Sequence, residues 1–450
     1  MHPDSRNYAN MDGPYGRSEY SNSQWLEKQE ARSKRSKRIV SLSLPPSLPT
    51  PNPSSSGRSF ETSQTLMFQS PGAPLRKVIG TLVAVVALIV VGVAVGVTLA
   101  KKNSGSSSSS TTSGSGKGSD TTSPSGTVNQ TDPNDPSSFV KDPRLKHSFY
   151  ALAYTPEGSQ LPQCGNSLEA VIEDIQLMSQ LTSRIRLYGA DCNQSALVLE
   201  AIQRTKVDMQ VYLGIYNIPT DDAPYVRQRD LIKDAITTYG TDHIAGITVG
   251  NEYMLNYLNA NGGTVPNSAI GDAGAALLIP NITDTRNMLA GLSLSKTIPV
   301  GNADAGSYFN NKVLEAVDYG MSNVHPWFAN VSIDIAAGWT NEFFQENNVI
   351  VAASLPNNPK MYIAETGWPT KSSDAGNANN GPSLASEDNL QKFMDTFVCQ
   401  ANTNGTGYFF FEYSDEPWKD AQFGGVEGWW GLFNSDRTLK NIQIPDCHID

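Results

Sequence analysis

From residue 141 onward, short apolar runs alternate with longer amphipathic stretches. Eight runs have the length and composition of strands: 149–154, 185–188, 211–216, 247–252, 298–304, 324–325, 361–365 and 408–412. Between most of them apolar positions return at helical spacing. Leu168, Val171, Ile172, Ile175 and Leu177 form one such stripe, and 196–202 and 231–236 form others. Asp221–Asp222 and Ser386 have the chemistry of helix starts. Strand alternating with helix predicts a parallel sheet covered on both faces. Eight such units predict an α/β fold, a (β/α)8 TIM barrel. A doubly wound open sheet is the alternative, but it normally carries a Gly-rich phosphate turn after its first strand, and Thr155–Pro156–Glu157–Gly158 does not match one.

The pattern changes upstream. Residues 78–100 are 23 uncharged positions fenced by Arg76–Lys77 and Lys101–Lys102. A helix of that length reaches about 35 Å, enough to cross a hydrocarbon core about 30 Å thick. The run therefore predicts a transmembrane signal-anchor helix. Residues 1–77, rich in Ser, Pro and Arg without periodicity, predict a disordered basic tail. Residues 101–140, almost wholly Ser, Thr, Gly, Asp and Pro, predict an extended stalk. The folded domain is expected over 141–450.

Charge sharpens this topology. The 450-residue chain carries a net charge of −11, yet residues 1–77 hold 11 Lys/Arg against 6 Asp/Glu. The basic cluster at 32–38 predicts a cytoplasmic N-terminus and a single-pass type II orientation in the cell membrane. Five N-x-Ser/Thr acceptors, Asn129, Asn193, Asn281, Asn330 and Asn404, all follow the apolar run and are the candidate glycosylation sites. All four cysteines follow it too, consistent with two disulfides in an oxidising compartment; three pairings are open, as are unpaired buried thiols. An acidic domain argues against a nucleic-acid partner.

Several apolar runs finish abruptly in polar groups: Tyr188, Asn251–Glu252, Asp304, His325, Glu365 and Glu412. In a barrel these strand ends open on one face, where chemistry gathers. Glu252 follows Gly250 and Asn251; Glu365 precedes Gly367, Trp368 and Pro369. Counted along the chain they close the fourth and seventh strands and face each other across the mouth. Two carboxyls about 5–5.5 Å apart suit retaining glycoside hydrolysis, one attacking the anomeric carbon and the other protonating the leaving oxygen. Further on, Glu416, Lys419 and Glu427 lie among Trp418, Trp429 and Trp430. Aromatic rings stack on sugar faces and charged groups grip hydroxyls; a plug of Trp429–Trp430 at the barrel bottom or in a helix–sheet seam is the other reading. There is no His-Glu-x-x-His or paired Cys-x-x-Cys, no Gly-x-Ser-x-Gly and no Walker loop. Neither a cofactor nor a metal is expected.

At these motifs the sequence resembles glycoside hydrolase family 17, the endo-β-1,3-glucanases and glucan-remodelling enzymes of plants and fungi. The resemblance rests on RIRLYGADCNQ (184–194), VGNE (249–252), HPWF (325–328), AETGWP (364–369), FEYSDEPWK (411–419) and GLFN (431–434). It implies a retaining (β/α)8 barrel with Glu365 as nucleophile and Glu252 as proton donor and acid/base, and Glu416, Lys419 and Glu427 as cleft residues. Asn251, Tyr188, His325 and Trp368 are the further substrate-binding candidates. The implied substrate is cell-wall β-1,3-glucan, met by an extracellular domain facing the wall, without a cofactor. Transglycosylation of that glucan and catalytically silent glucan binding are the alternative activities.

Overall fold

The computed structural model describes residues 128–132, 134–447 and 449. The expected tail, the 78–100 run and most of the stalk lie outside the described residues. Among the described residues no helix is long and apolar enough to cross a membrane.

Eight strands are joined in parallel: β1 (Ala151–Ala153), β2 (Arg184–Arg186), β3 (Gln210–Ile215), β4 (Ile244–Asn251), β5 (Val300–Ala305), β6 (Tyr319–Asn323), β7 (Lys360–Thr366) and β8 (Tyr408–Phe410). They close in the order β1-β8-β7-β6-β5-β4-β3-β2. A helix follows each strand, beginning with α1 (Leu168–Met178), α2 (Gln194–Thr205), α3 (Ala223–Tyr239), α4 (Tyr253–Ala260) and α5 (Ala269–Ala290). This is the (β/α)8 barrel that the alternation predicts.

Alternation along the strands separates two cores. Ile185, Val211, Leu213, Ile215, Ile247, Val249, Val300 and Ile363 pack outward under the helices. Tyr212, Tyr319, Tyr362 and Phe409 point inward, with Ala151, Ala303 and Ala364 between them. Tyr212 meets Phe409 and Tyr319 edge-on at 5.3 and 5.5 Å. Four large rings fit because small residues oppose them; a Cβ on Gly301 would lie 2.1 Å from the Tyr319 ring.

Four expectations need correction. The sixth strand is β6, Tyr319–Asn323, rather than 324–325. Its Tyr-Gly-Met-Ser-Asn sequence lacks a β-branched run, and Ser322 turns outward to donate to Asn348 Oδ1 at 2.8 Å. The folded unit also begins before residue 141. Gln176 Nε2 donates to Pro136 O at 2.7 Å, and Asp142 N donates to Gln180 Oε1 at 2.7 Å. The segment thus packs against the end of α1 rather than hanging free. Asn281 is buried in the middle of α5, and its carbonyl accepts from Tyr225 Oη at 2.8 Å; a glycan there would have to displace α3. Asn330 is half-buried with its carboxamide against Gly381, leaving little room for a glycan. Asn129, Asn193 and Asn404 are exposed. The cysteines pair as Cys164–Cys192 and Cys399–Cys447. The first bridge ties the loop after β1 to the loop after β2, on the face where the strands end.

Candidate active site

Glu252 stands where β4 turns into α4. Gly250 has φ +90°, and a Cβ there would come within 3.0 Å of Asn302 Nδ2 and 3.1 Å of Asn217 Oδ1, so glycine is required. Glu252 itself is left-handed, with φ 56°. Thr248 pairs with Gly301, yet Asn251 pairs with Ala303, so β4 holds one residue more than β5 over this stretch. The bulge reverses the alternation. Thr248 reaches the inner Tyr319 hydroxyl at 2.9 Å, and Asn251, three residues on, also faces inward. β7 carries the same device: Ser322 pairs with Ile363, but Asn323 pairs with Glu365. Without that extra residue Glu365 would share the outward side of Ile363. Both strands bulge just before the residues that meet at the mouth.

Arg186 links these residues. It is 1% exposed and projects inward from β2. Its Nη1 donates to Glu365 Oε1 at 3.1 Å and its Nη2 to Asn251 Oδ1 at 2.7 Å. Its guanidinium lies 4.4 Å from the centre of the Tyr188 ring. His325 Nε2 donates to Glu365 Oε2 at 3.0 Å. Asn323 Nδ2, from the end of β6, donates to Glu252 Oε1 at 3.1 Å. Beside them Lys419 Nζ sits 2.7 Å from Glu412 Oε2, 3.2 Å from Glu416 Oε1 and 4.6 Å from the centre of the Phe411 ring.

The two carboxyls are driven apart electrostatically. Burial, then the charge of Glu365, pushes Glu252 up to about 7. Burial would raise Glu365 as well, but the His325 hydrogen bond and the Arg186 charge outweigh it and bring Glu365 down to about 2. Near neutral pH one carboxyl holds its proton half the time and the other is ionised, the division of labour that acid/base chemistry needs. Burial, reinforced by the charge of Glu416, holds Glu412 well above the carboxylate range. Burial opposes the Lys419 charge, but Glu412 and Glu416 overcome it and keep that ammonium protonated. Among the described residues no cluster of three or more His, Cys, Asp or Glu is arranged to hold a metal ion.

A profile of the BtgE/BtgC glycoside hydrolase domain matches residues 151–431, and this stretch contains every residue of the mouth. The chain belongs to that glycoside hydrolase family. The glucan endo-1,3-beta-glucosidase btgC of Emericella nidulans is 35% identical over 319 residues, which is 67% of this chain and 47% of the relative. A "Probable glucan endo-1,3-beta-glucosidase btgC" of Aspergillus terreus is 36% identical over 348 residues, 73% of this chain and 51% of the relative. The chain thus spans about half the length of the curated relatives it matches. Among solved structures, a glycoside hydrolase family 17 beta-1,3-glucanosyltransferase from Rhizomucor miehei is similar with TM-score 0.53 and 26% identity, over 66% of this chain and 98% of that one. An endo-laminarinase from Formosa shares the fold, with TM-score 0.52 and 20% identity over 67% and 91% of the two chains.

In this chain Glu252, Glu365, Asn251, Tyr188 and His325 come together at one mouth. Lys419 is near enough for its charge to lower Glu365, and Glu427 near enough to raise Glu252. Glu416 joins through Lys419. Trp368 does not join them. It is fully buried, donates from Nε1 to Leu384 O at 2.8 Å and packs against Phe393 at 6.2 Å. The turn after Glu365 carries this ring under the helical layer, away from any sugar. Trp430 is not a plug at the barrel bottom either; it is buried behind His325, ring centres 5.1 Å apart. Trp429 remains partly exposed, with Lys371 Nζ 3.6 Å from its ring centre. Sequence reasoning missed Arg186 and Asn323. Arg186 had one signal: in Arg184-Ile185-Arg186-Leu187-Tyr188 the polar and aromatic residues take alternate positions, and so share the inner face.

Proposed function

We propose that the chain is a retaining glucan endo-1,3-β-D-glucosidase that cleaves β-1,3-glucan during wall remodelling. In this reading Glu365 is the nucleophile and Glu252 the acid/base. The observation that carries it is geometric: both carboxyls reach one mouth, with Arg186 and His325 each donating to one oxygen of Glu365 and Asn323 donating to Glu252. Glu365 attacks the anomeric carbon while Glu252 gives its proton to the glycosidic oxygen; the C–O bond breaks and a glucosyl ester remains. Arg186 and His325 each hold one oxygen of the attacking carboxylate, fixing its plane. Ester formation removes the Glu365 charge, so Glu252 becomes more acidic and is left as the carboxylate. It then takes a proton from water as the water attacks the anomeric carbon; the bond to Glu365 breaks and Glu365 is released as the carboxylate. Both Arg186 and Asn323 donate to Asn251 Oδ1, so its Nδ2 is the group offered to a sugar hydroxyl.

The test is stereochemical. Glu365→Ala with added azide yields the inverted glycosyl azide. Glu252→Ala with an activated aryl laminarioligoside still glycosylates the protein, and azide then releases a retained product. Full turnover of glucan by either variant would overturn the assignment.

The similarity to the Rhizomucor miehei glucanosyltransferase favours a second reading, in which a glucan hydroxyl replaces water in the second step. Products longer than the substrate at high laminarioligosaccharide concentration mark that outcome. We further propose that the 78–100 run anchors the protein in the cell membrane as a single-pass type II chain, with residues 1–77 cytoplasmic and the barrel facing the wall. The one-sided basic residues, sequons and disulfides support this.

A further inference from the structure

Strand β5 reads Val-Gly-Asn-Ala-Asp-Ala, and two of its outward residues, Asn302 and Asp304, are polar and 0% exposed. Elsewhere in the barrel that side is mostly apolar, with Ser322 of β6 an exception. Burying a carboxyl and a carboxamide there is costly unless their bonds are satisfied by something specific. Apart from the Ala305 amide, the partners these side chains have belong to one turn, the one that presents Glu252. Asn302 Nδ2 donates to Val249 O at 2.8 Å. Between the two, the Ala303 carbonyl accepts from Glu252 N at 3.1 Å. Asp304 Oδ2 accepts from Met254 N at 2.8 Å and Oδ1 from Leu255 N at 3.2 Å. Oδ1 also accepts from Ala305 N at 3.0 Å.

Met254 and Leu255 open α4, whose first amides have no partner within the helix. Glu252, the residue at the cap position, makes no side-chain bond to them, so its carboxyl is left for the mouth. Asp304 does the capping from the neighbouring strand instead. Burial pushes its pKa well above the carboxylate range, and the three amide bonds work against that rise. Three consecutive residues of β5 therefore hold the 249–255 turn at four points. The turn needs holding, because it contains a bulge, a glycine at φ +90° and a glutamate at φ 56°.

We propose that Asp304, supported by Asn302, is a positioning residue that fixes the backbone of Glu252 so that its carboxyl meets the glycosidic oxygen. Asp304 touches no substrate and acts through Glu252. This rests on the acid/base role proposed above for Glu252. In the first step, formation of the glycosyl intermediate, misplacing the proton donor harms only those substrates whose leaving group needs a proton.

The test compares Asp304→Ala and Asp304→Asn with the unaltered full chain on two substrates. One is linear β-1,3-glucan. The other is a dinitrophenyl laminarioligoside, whose leaving group departs unprotonated. Asp304→Ala lowers kcat on glucan by about a hundredfold, with KM nearly unchanged, while formation of the glycosyl intermediate from the aryl substrate slows only a few-fold. Asp304→Asn keeps one acceptor oxygen and shows a smaller loss in the same sense; it carries the test if the Ala variant is not recovered folded. Thermal melting and near-UV circular dichroism establish folding. Equal losses on both substrates, or none on glucan, overturn the inference while leaving the proposed function intact. An unaltered chain inactive on both substrates removes the function and the inference together.

Discussion

At Glu365 two donors, the Arg186 guanidinium and the His325 ring N–H, each meet one carboxylate oxygen, whereas at Glu252 a single Asn323 carboxamide does so. That difference in neighbours sets the pH dependence. In the proposed mechanism Glu252 works as an acid only while protonated, so kcat/KM on glucan is expected to fall as pH rises through about 7. Glu365 works only while ionised, so the acid limb lies far lower, towards about 2. The profile is a broad bell centred on acidic pH, and initial rates in constant-ionic-strength buffers check it. An alkaline limb below about pH 5 would contradict the roles assigned. The two glutamates were legible because each ends an apolar run beside a glycine. Arg186 was legible only through the alternation of 184–188, which puts it on one face with Tyr188 but does not say that the face is buried. Trp368 misled because a tryptophan beside a candidate nucleophile resembles a sugar platform, and only packing tells the two apart.

Strands β4 and β7 solve one problem in the same way. Strict alternation would keep every second residue of a strand on one side along its whole length, whereas near their ends these strands must bring residues of the outward set to the mouth. One extra residue near the end of each strand reverses its parity, so Ile247 and Val249 stay under the helices while Asn251 reaches the mouth. The bulge of β4 depends on Gly250. Gly250→Ala places a Cβ at φ +90° against Asn302 and Asn217. The expected cost is about 1–3 kcal/mol, seen as a lower Tm, together with a loss of glucan turnover larger than the change in KM. An unchanged Tm and turnover would mean that the turn tolerates a side chain. Bulges escape sequence reading because periodicity assumes an unbroken period of two. β6 escaped for a related reason: Tyr319 and Met321 fill the barrel, while Gly320 and Ser322 face helices, so no apolar face repeats. The eightfold alternation itself was legible because it recurs too often to be hidden by one irregular strand.

Across the whole molecule, residues 128–148 are part of the folded unit. Besides its contacts with Gln176 and Gln180, this segment bonds Lys206 at the end of α2 through Ser137, at 3.2 Å. Ser148, just before β1, accepts from Asn402 and from Cys447 N at 2.8 and 3.0 Å. Limited proteolysis of the full chain therefore leaves a resistant fragment whose N-terminus, read by mass spectrometry, precedes residue 128; a fragment beginning near 141 would contradict the packing. Composition alone suggested the later boundary, because Asp132–Pro133–Asn134–Asp135–Pro136 reads like the polar stretch before it. These contacts cluster where α1 and α2 finish and where β1 and β2 begin, the rim opposite Glu252 and Glu365. Residues 134–148 therefore lie on the side of the barrel away from the two glutamates. A pull applied to this segment bears on the foot of the barrel, not on the two acids at its head.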